Sequence, residues 1–563
     1  MMEEQKSQSC YQQIVKGEYK FIDEIYISSI LGSEQIENML KKLQELTNLK
    51  SFNCNFKNIS TKKSLAEQII LDIQKCPSLK SINLNFQQNF SIKQLLLQLN
   101  LNTFQELEAI TLNLSQTFLQ DEQIQLIANS IILTTSLKQL ELDLSENQIG
   151  ENGVNEISKC ISNYQNLETV SINLENNNLG LFAVQLGISL SKCTSITSLV
   201  LDLSQNKLGN IVASSIGSGL SSCIKLQNLS LILNNNQIGD KGLSSISYGV
   251  SKCQGITQLT IELAQNLIEH TGSDELAQSI SNYLLLDYLS LQLSGNSIGH
   301  YGTQVICQKI SQCQSLKKLI LDLSQNQVKD KGAVAIGKLL QQSININKIK
   351  INLNQNKISC LGAQKLVQFL GDCQNLSEIE IQLSDNLINN QGASDIWLGL
   401  SKCSNLICIN IDLQNNRIDD QGLVAIGNKL TSCNKLSSLR INLSRNRIRN
   451  KLFTGLGQEL SNFVDLQDLT LDLSKNQIKD LGASEIGIGL SKCVNLKSLN
   501  LDLKENQIGE LGGNELGQGL SQCPNLKKLT LILWEVKNAE QSIQILKQKF
   551  KQSKSLDVYR LIK

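Results

Sequence analysis

Apolar and polar residues alternate along short stretches of this chain, give way to apolar residues spaced three and four apart, and then begin alternating again. In the stretch from Leu496 to Gly509, Leu499, Leu501 and Leu503 alternate with polar residues. A period of two predicts a strand with one buried face. A helical period follows the polar turn, as in Leu243, Ile246 and Val250, with Cys253 and Ile256 continuing the buried row. One strand and one short helix cannot bury their apolar faces alone, so such units must stack.

One leucine sets the phase. It recurs at Leu49, Leu79, Leu107, Leu137, Leu167, Ile196, Leu226 and onward to Leu556, eighteen times, at intervals of 30 residues with one of 28 and one of 29. An asparagine follows each strand, from Asn147 and Asn177 through Asn476 and Asn506. A turn entering the interior leaves backbone groups that need partners, and a stacked column of amides can donate and accept from repeat to repeat. Asp240 is read as a helix N-cap, with Asn210, Asp330, Asn390, Asp420, Asn450 and Asp480 in the same place.

The motif Leu-x-x-Leu-x-Leu…Asn-x-Ile/Leu-Gly, followed by a helix containing Gly and Ala, resembles the ribonuclease-inhibitor-like class of leucine-rich repeats over roughly residues 45–563. Its Gln/Asn/Lys-rich, Arg-poor composition also looks like the expanded leucine-rich-repeat families of ciliates. The resemblance implies an α/β solenoid, a horseshoe of about eighteen repeats with a parallel β-sheet on the concave face and α-helices on the convex face. This chain has three leucine steps before the asparagine where the family pattern has two, so each strand is expected to be one dyad longer. Residues 1–48 are expected to form an N-terminal cap, with a strand near Phe21–Ser28 and a helix near Ser33–Leu46. Residues 49–563 form the repeat domain, including a C-terminal cap over about 534–563. Two prolines in the chain leave no Pro-rich linker to mark a boundary inside it.

Charge narrows the range of partners. With 52 basic and 51 acidic residues the chain lacks the basic excess of a general nucleic-acid or membrane-surface binder, so neither partner is expected. A polar N-terminus and the lack of a long apolar run point to a cytoplasmic protein. With two histidines, His270 and His300, there is little material for acid–base or nucleophilic catalysis, and no phosphate-binding Gly-rich loop is present. No enzyme activity, cofactor, metal or small-molecule substrate is expected. Nine of the sixteen cysteines share one column, Cys193, Cys223, Cys253, Cys313, Cys373, Cys403, Cys433, Cys493 and Cys523, where other repeats place Tyr283, Ser343 and Phe463. Such exchanges suit a small buried slot and not a metal or redox site.

The candidate docking residues are the exceptions to the repeat. A polar column, read as the centre of the concave face, runs through Asn352, Gln382, Asp412, Asn442, Asp472 and Asp502, and Asp472 and Asp502 are its one adjacent acidic pair. It offers a mildly acidic groove for a basic segment. Four of the six arginines, Arg440, Arg445, Arg447 and Arg449, fall within ten residues, with Lys451 close behind. Arginine presents a planar fork suited to carboxylate or phosphate. Trp534 on the last strand and Trp397 on a helix are weaker candidates, since Trp is favoured at hot spots. The expected function is a protein-interaction scaffold. The resemblance also implies two alternatives, a Ran-type GTPase-activating protein and an adaptor in a ciliary or ubiquitin-ligase assembly.

Overall fold

The computed structural model describes residues 2–16, 22–28, 30–46, 48–57, 63–76, 78–89, 101–104, 106–427, 433, 435–449, 465–533, 548 and 558–562. The chain forms an open leucine-rich-repeat solenoid of parallel strands and helices, and it divides into two compact units, Met1–Ile268 and Glu269–Lys563.

The first unit carries β1 (Glu24–Ser28), β2 (Ser51–Asn55), β3 (Ser81–Asn85), β4 (Ala109–Asn113), β5 (Gln139–Asp143), β6 (Thr169–Asn173), β7 (Ser198–Asp202), β8 (Asn228–Ile232) and β9 (Gln258–Glu262). The second carries β10 (Tyr288–Gln292), β11 (Lys318–Asp322), β12 (Lys348–Asn352), β13 (Glu378–Gln382), β14 (Cys408–Asp412), β15 (Ser438–Asn442), β16 (Asp468–Asp472), β17 (Ser498–Asp502), β18 (Lys528–Ile532) and β19 (Val558–Ile562). Within each unit every strand pairs in parallel with the next, first residue opposite first residue. From β2 to β9 and from β11 to β18 the second and fourth residues of each strand are buried and the other three are not. The buried rows meet the apolar faces of helices such as Asp240–Ser251 and Asp480–Ser491, and that seam is the core.

Each regular strand has five residues. Its third leucine lies one residue beyond: Leu503 is buried and its N–H still donates to Ile532 O at 2.9 Å, so pairing outlasts the regular strand. The chain then turns sharply. The residue before the column asparagine has a left-handed backbone, as in Gln325 (φ 55°), Arg445 (φ 55°) and Glu505 (φ 53°). The asparagine holds that turn. Fully buried Asn356 donates from Nδ2 to Leu323 O (2.8 Å) in the preceding repeat and to Asn354 O (3.2 Å). Its Oδ1 accepts from the N–H groups of Asn326 and Val328, both at 3.0 Å. The column therefore links repeats through amide-to-backbone bonds.

The helix-start column works differently from the N-cap reading. Its members stand at the first or second residue of their own helix, where the side chain reaches the next repeat. Asn210 Oδ1 accepts from Gly239 N (2.8 Å) and Gly242 N (3.1 Å), at the start of the following helix. Asp121 does the same for Gly150 N (2.7 Å) and Asn152 N (3.1 Å). Asp330 accepts from Ser359 N at 2.7 Å. Asn450 lies outside the described residues. Helices also approach closely where glycines face one another: a Cβ on Gly249 would overlap the carbonyl of Gly217, and one on Gly519 the backbone of Gly487.

At the N-terminus a helix, Met2–Val15, packs on β1, and the Ser7 hydroxyl accepts from Ser28 N at 3.1 Å, covering the edge strand. Sequence reasoning placed the helix Ser33–Lys42 and the strand Glu24–Ser28 but not this first helix. Among the described residues no helix is long and apolar enough to cross a membrane.

Candidate functional site

Three outward positions per strand form the sheet face. The polar column containing Asp412, Asp472 and Asp502 is the last of the three, at the C-terminal end of the strands, and not the central one. These side chains cap the turn that follows. Oδ1 accepts from the backbone N–H two residues on: Asp412 from Gln414 (2.9 Å), Asp472 from Ser474 (2.9 Å) and Asp502 from Lys504 (3.0 Å). Asn352 and Asn442 do the same with their amide oxygens. An Asx side chain mimics a backbone turn in this way. Burial raises the pKa of Asp412 and Asp502 from the ordinary aspartate value, and the charge of Asp472 adds to it in both. Strand pairing sets Asp472 directly opposite Asp502.

The central column holds the chemistry. Across most of the sheet it carries Ser, Thr or Asn, but from β11 to β15 it reads Ile320, Lys350, Glu380, Asn410 and Arg440. Beside it, the first outward position reads Lys318, Lys348, Glu378 and Cys408. Lys348 Nζ lies 2.6 Å from Glu378 Oε1, and Lys350 Nζ lies 3.1 Å from Glu380 Oε1. These residues line a depression of about 370 Å³ with Leu319, Ile349 and Ile379 at its floor and the exposed Arg440 at one end. Lys318 stacks on the Tyr288 ring, 5.0 Å from its centroid. Sequence reasoning singled out Arg440 and missed its neighbours. The signal was legible as residues 30 apart with opposite charge, Lys348 with Glu378 and Lys350 with Glu380.

The other arginines lie on the loop beyond the same strand. Arg445, Arg447 and Arg449 are exposed while Ser444, Asn446 and Ile448 between them are buried. Arg449 Nε donates to Gln477 Oε1 at 3.0 Å. Arg417 occupies the matching position one repeat earlier and is also exposed. Arg440 faces the sheet surface, so the four predicted arginines divide between that face and its bordering loop edge.

The two tryptophans part company. Trp534 lies outside the described residues, as does Lys451. Trp397 is no docking residue: it is completely buried, and its Nε1 has no hydrogen-bond partner. Its column, shared with Gly337 and Gly217, faces the next helix, where a side chain is enclosed.

The column cysteines are free, buried thiols that bond the end of the previous helix. Cys373 Sγ donates to Leu340 O (3.0 Å), Cys403 to Leu370 O (3.2 Å) and Cys253 to Leu220 O (3.4 Å). Burial pushes the Cys373 thiol up to about 11 and the Cys403 thiol up to about 12. His270 begins one helix and His300 is the second residue of another. Among the described residues no group of three His, Cys, Asp or Glu side chains is placed to hold a metal ion.

A sequence profile described as "Leucine Rich repeat" matches residues 226–247, 312–337, 410–427 and 467–487. The matched repeats support a leucine-rich-repeat protein, and proteins of this fold generally mediate protein–protein interaction. No curated protein matches the chain. Among solved structures it is similar to an internalin, InlF, from Listeria monocytogenes, with 19% identity, coverage of 66% of this chain and 88% of that one, and a TM-score of 0.37. It is also similar to the TLR13–ssRNA13 complex, with 16% identity, coverage of 96% and 62%, and a TM-score of 0.43.

Proposed function

We propose that this chain is a non-enzymatic, cytoplasmic scaffold of the ribonuclease-inhibitor-like class that takes a protein partner on the sheet face of its second unit. The observation that carries the reading is the depression between Lys318 and Arg440. Over most of the sheet the central outward position is Ser, Thr or Asn, with Tyr26, Glu141, Val200 and Arg560 as single exceptions; here charged side chains cluster on neighbouring strands, Lys348 and Lys350 on β12, Glu378 and Glu380 on β13 and Arg440 on β15. Arginine is enriched at interface hot spots, which singles out Arg440, and the paired lysines and glutamates beside it suit the polar rim of a contact. Ten strands at a spacing of roughly 4.8 Å give the second unit a sheet about 43 Å wide, enough for a standard-size contact. Arg440, Arg445, Arg447 and Arg449 are the proposed docking side chains. Asp412, Asp472 and Asp502 lie on the same face with one oxygen used in the turn, and Asp502 Oδ2 also lies 3.8 Å from Lys504 Nζ.

The sixteen free cysteines agree with a reducing compartment. Near-neutral net charge agrees with a protein partner in preference to nucleic acid, a membrane or a small-molecule substrate.

The test is affinity capture from cell extract with the wild type and an Arg440→Ala, Lys350→Ala variant whose circular dichroism is unchanged. A partner held by the wild type and lost from the variant supports the reading. Equal recovery by both removes the depression as the site, and recovery of nothing by either removes the interaction reading itself.

A further inference from the structure

The loop edge beside the docking face has a feature that the sheet face does not explain. In the second unit several lysines have acidic partners: Lys348 with Glu378, Lys350 with Glu380, and Lys475 with Glu505 at 2.9 Å. Arg417, Arg445, Arg447 and Arg449 form no ion pair among the described residues, although all four are exposed and close together. The carboxylates nearest in sequence are engaged by other groups, each through Oδ1. Asp419 accepts from Asn390 Nδ2 (2.6 Å) and Gln421 N (2.9 Å), and Asp420 accepts from Arg449 N.

Backbone bonds fix how the arginines stand. Arg447 N donates to Ile418 O and Gln477 N to Ile448 O, each at 2.8 Å, so successive loops stack as neighbouring strands do. Arg417 and Arg447 are therefore side by side at roughly the 4.8 Å spacing of a parallel ladder. Like charges at that distance repel. Arg447 and Arg449 flank buried Ile448 and point outward together. The cluster is bounded: Asn415 Nδ2 donates to Asp385 Oδ1 (2.6 Å) on one side, and Lys475 is neutralised by Glu505 on the other. The result is a short cationic edge, two adjacent loops wide, with self-repulsion that a bound anion relieves.

We infer that this edge binds an acidic, extended segment of a protein partner, one carrying carboxylates at alternate positions. The inference rests on the interaction reading above and adds the partner's chemistry. Alternate side chains of an extended peptide lie on one side, roughly 6.6 Å apart, and can meet successive guanidinium forks one to one. A single-stranded nucleic acid would also supply spaced anions. Sequence-tolerant binding of that kind uses aromatic platforms for the bases, and among the described residues this edge has none.

The probe is a labelled peptide with aspartate at alternate positions, titrated against the full chain by fluorescence anisotropy. Two variants are compared: Arg417→Ala, Arg447→Ala, Arg449→Ala, and the same three positions changed to lysine. Exposed ion pairs are individually weak, so the alanine variant is expected to bind about tenfold more weakly. The lysine variant should fall between, because charge without the fork is kept, and added salt should weaken all three. Unchanged affinity in the alanine variant, no peptide binding at low salt, or tighter binding of an RNA oligonucleotide of equal charge each overturns the inference. A failed peptide assay, with a cellular partner still lost from the Arg440→Ala, Lys350→Ala variant, overturns this inference and leaves the interaction reading standing. Peptide binding that depends on the arginines, with no loss of partner from that variant, removes the depression and keeps the edge.

Discussion

Replacing Asn356 by alanine tests the account of what joins one repeat to the next. The side chain is fully buried and makes four hydrogen bonds, two donated to carbonyls and two accepted from N–H groups. A net value of about 1 kcal/mol for each gives roughly 4 kcal/mol. The cost rises where a group is stranded in the interior and falls where Asn354 O regains water. A loss of about 3–5 kcal/mol follows, and it is local, because each repeat of a solenoid contacts only its neighbours. Hydrogen exchange read by mass spectrometry should show faster exchange at the amides of Asn326 and Val328, with a lower first transition in thermal circular dichroism. Asn356→Thr is the internal control. The chain itself places Thr117 at this column, where its hydroxyl donates to Leu114 O at 2.6 Å. One recovered bond should return about 1 kcal/mol. If Asn356→Ala costs less than about 1 kcal/mol and leaves both amides protected, the column does not hold the repeats together.

Asp502→Asn should stabilise the second unit by up to about 0.5 kcal/mol at neutral pH, because it removes repulsion from Asp472 and keeps an oxygen for Lys504 N, while giving up only the long 3.8 Å ion pair to Lys504 Nζ. The sign follows from linkage: a carboxyl with a raised folded-state pKa loses stability as pH rises through its titration, so the gain should vanish in acid, as a pH series of thermal melts can show. Native protein treated with iodoacetamide at neutral pH should label first at Cys360 and Cys408, the two half-buried cysteines; early labelling at Cys403, whose thiol burial pushes up to about 12, would contradict the slot reading. Gly249→Ala must push its helix off the backbone of Gly217 and should cost about 1–3 kcal/mol in a urea melt, whereas a neutral result would mean that the helices are not in tight contact.

Much of the fold was legible because a period of 30 repeats every physical requirement many times. Alternation marked the strands, the asparagine column marked the buried turn, and the exchange of Cys for Tyr283 or Ser343 marked an inert slot. What single columns could not reveal were relations between repeats. The helix-start aspartates look like caps of their own helices, yet Asp330 reaches Ser359 in the next repeat, which only stacked geometry discloses. The Asp502 column looked like the middle of a face because polarity does not say where a strand ends. The depression at Lys350 was hidden because its meaning lies in Glu380, thirty residues away. Trp397 shows a limit of another kind. A rare large residue in a column of glycines reads as an exception directed outward, but burial depends on which way the column faces.

The two-way junction between repeats has a consequence for how such a chain changes over generations. At junctions such as those of Asn356 and Asn210, the column asparagine serves the repeat before it and the helix-start Asn or Asp serves the repeat after it. Both halves of the connection thus travel inside one block of sequence. A block copied or excised whole arrives with everything its new neighbours require, whereas a cut that leaves part of a block strands one half. Gene duplication and unequal exchange can therefore lengthen or shorten the array in whole-repeat steps while the surface residues drift freely. A patch such as the arginine edge, confined to a few adjacent blocks, is what such a history would leave where one segment had come under separate selection.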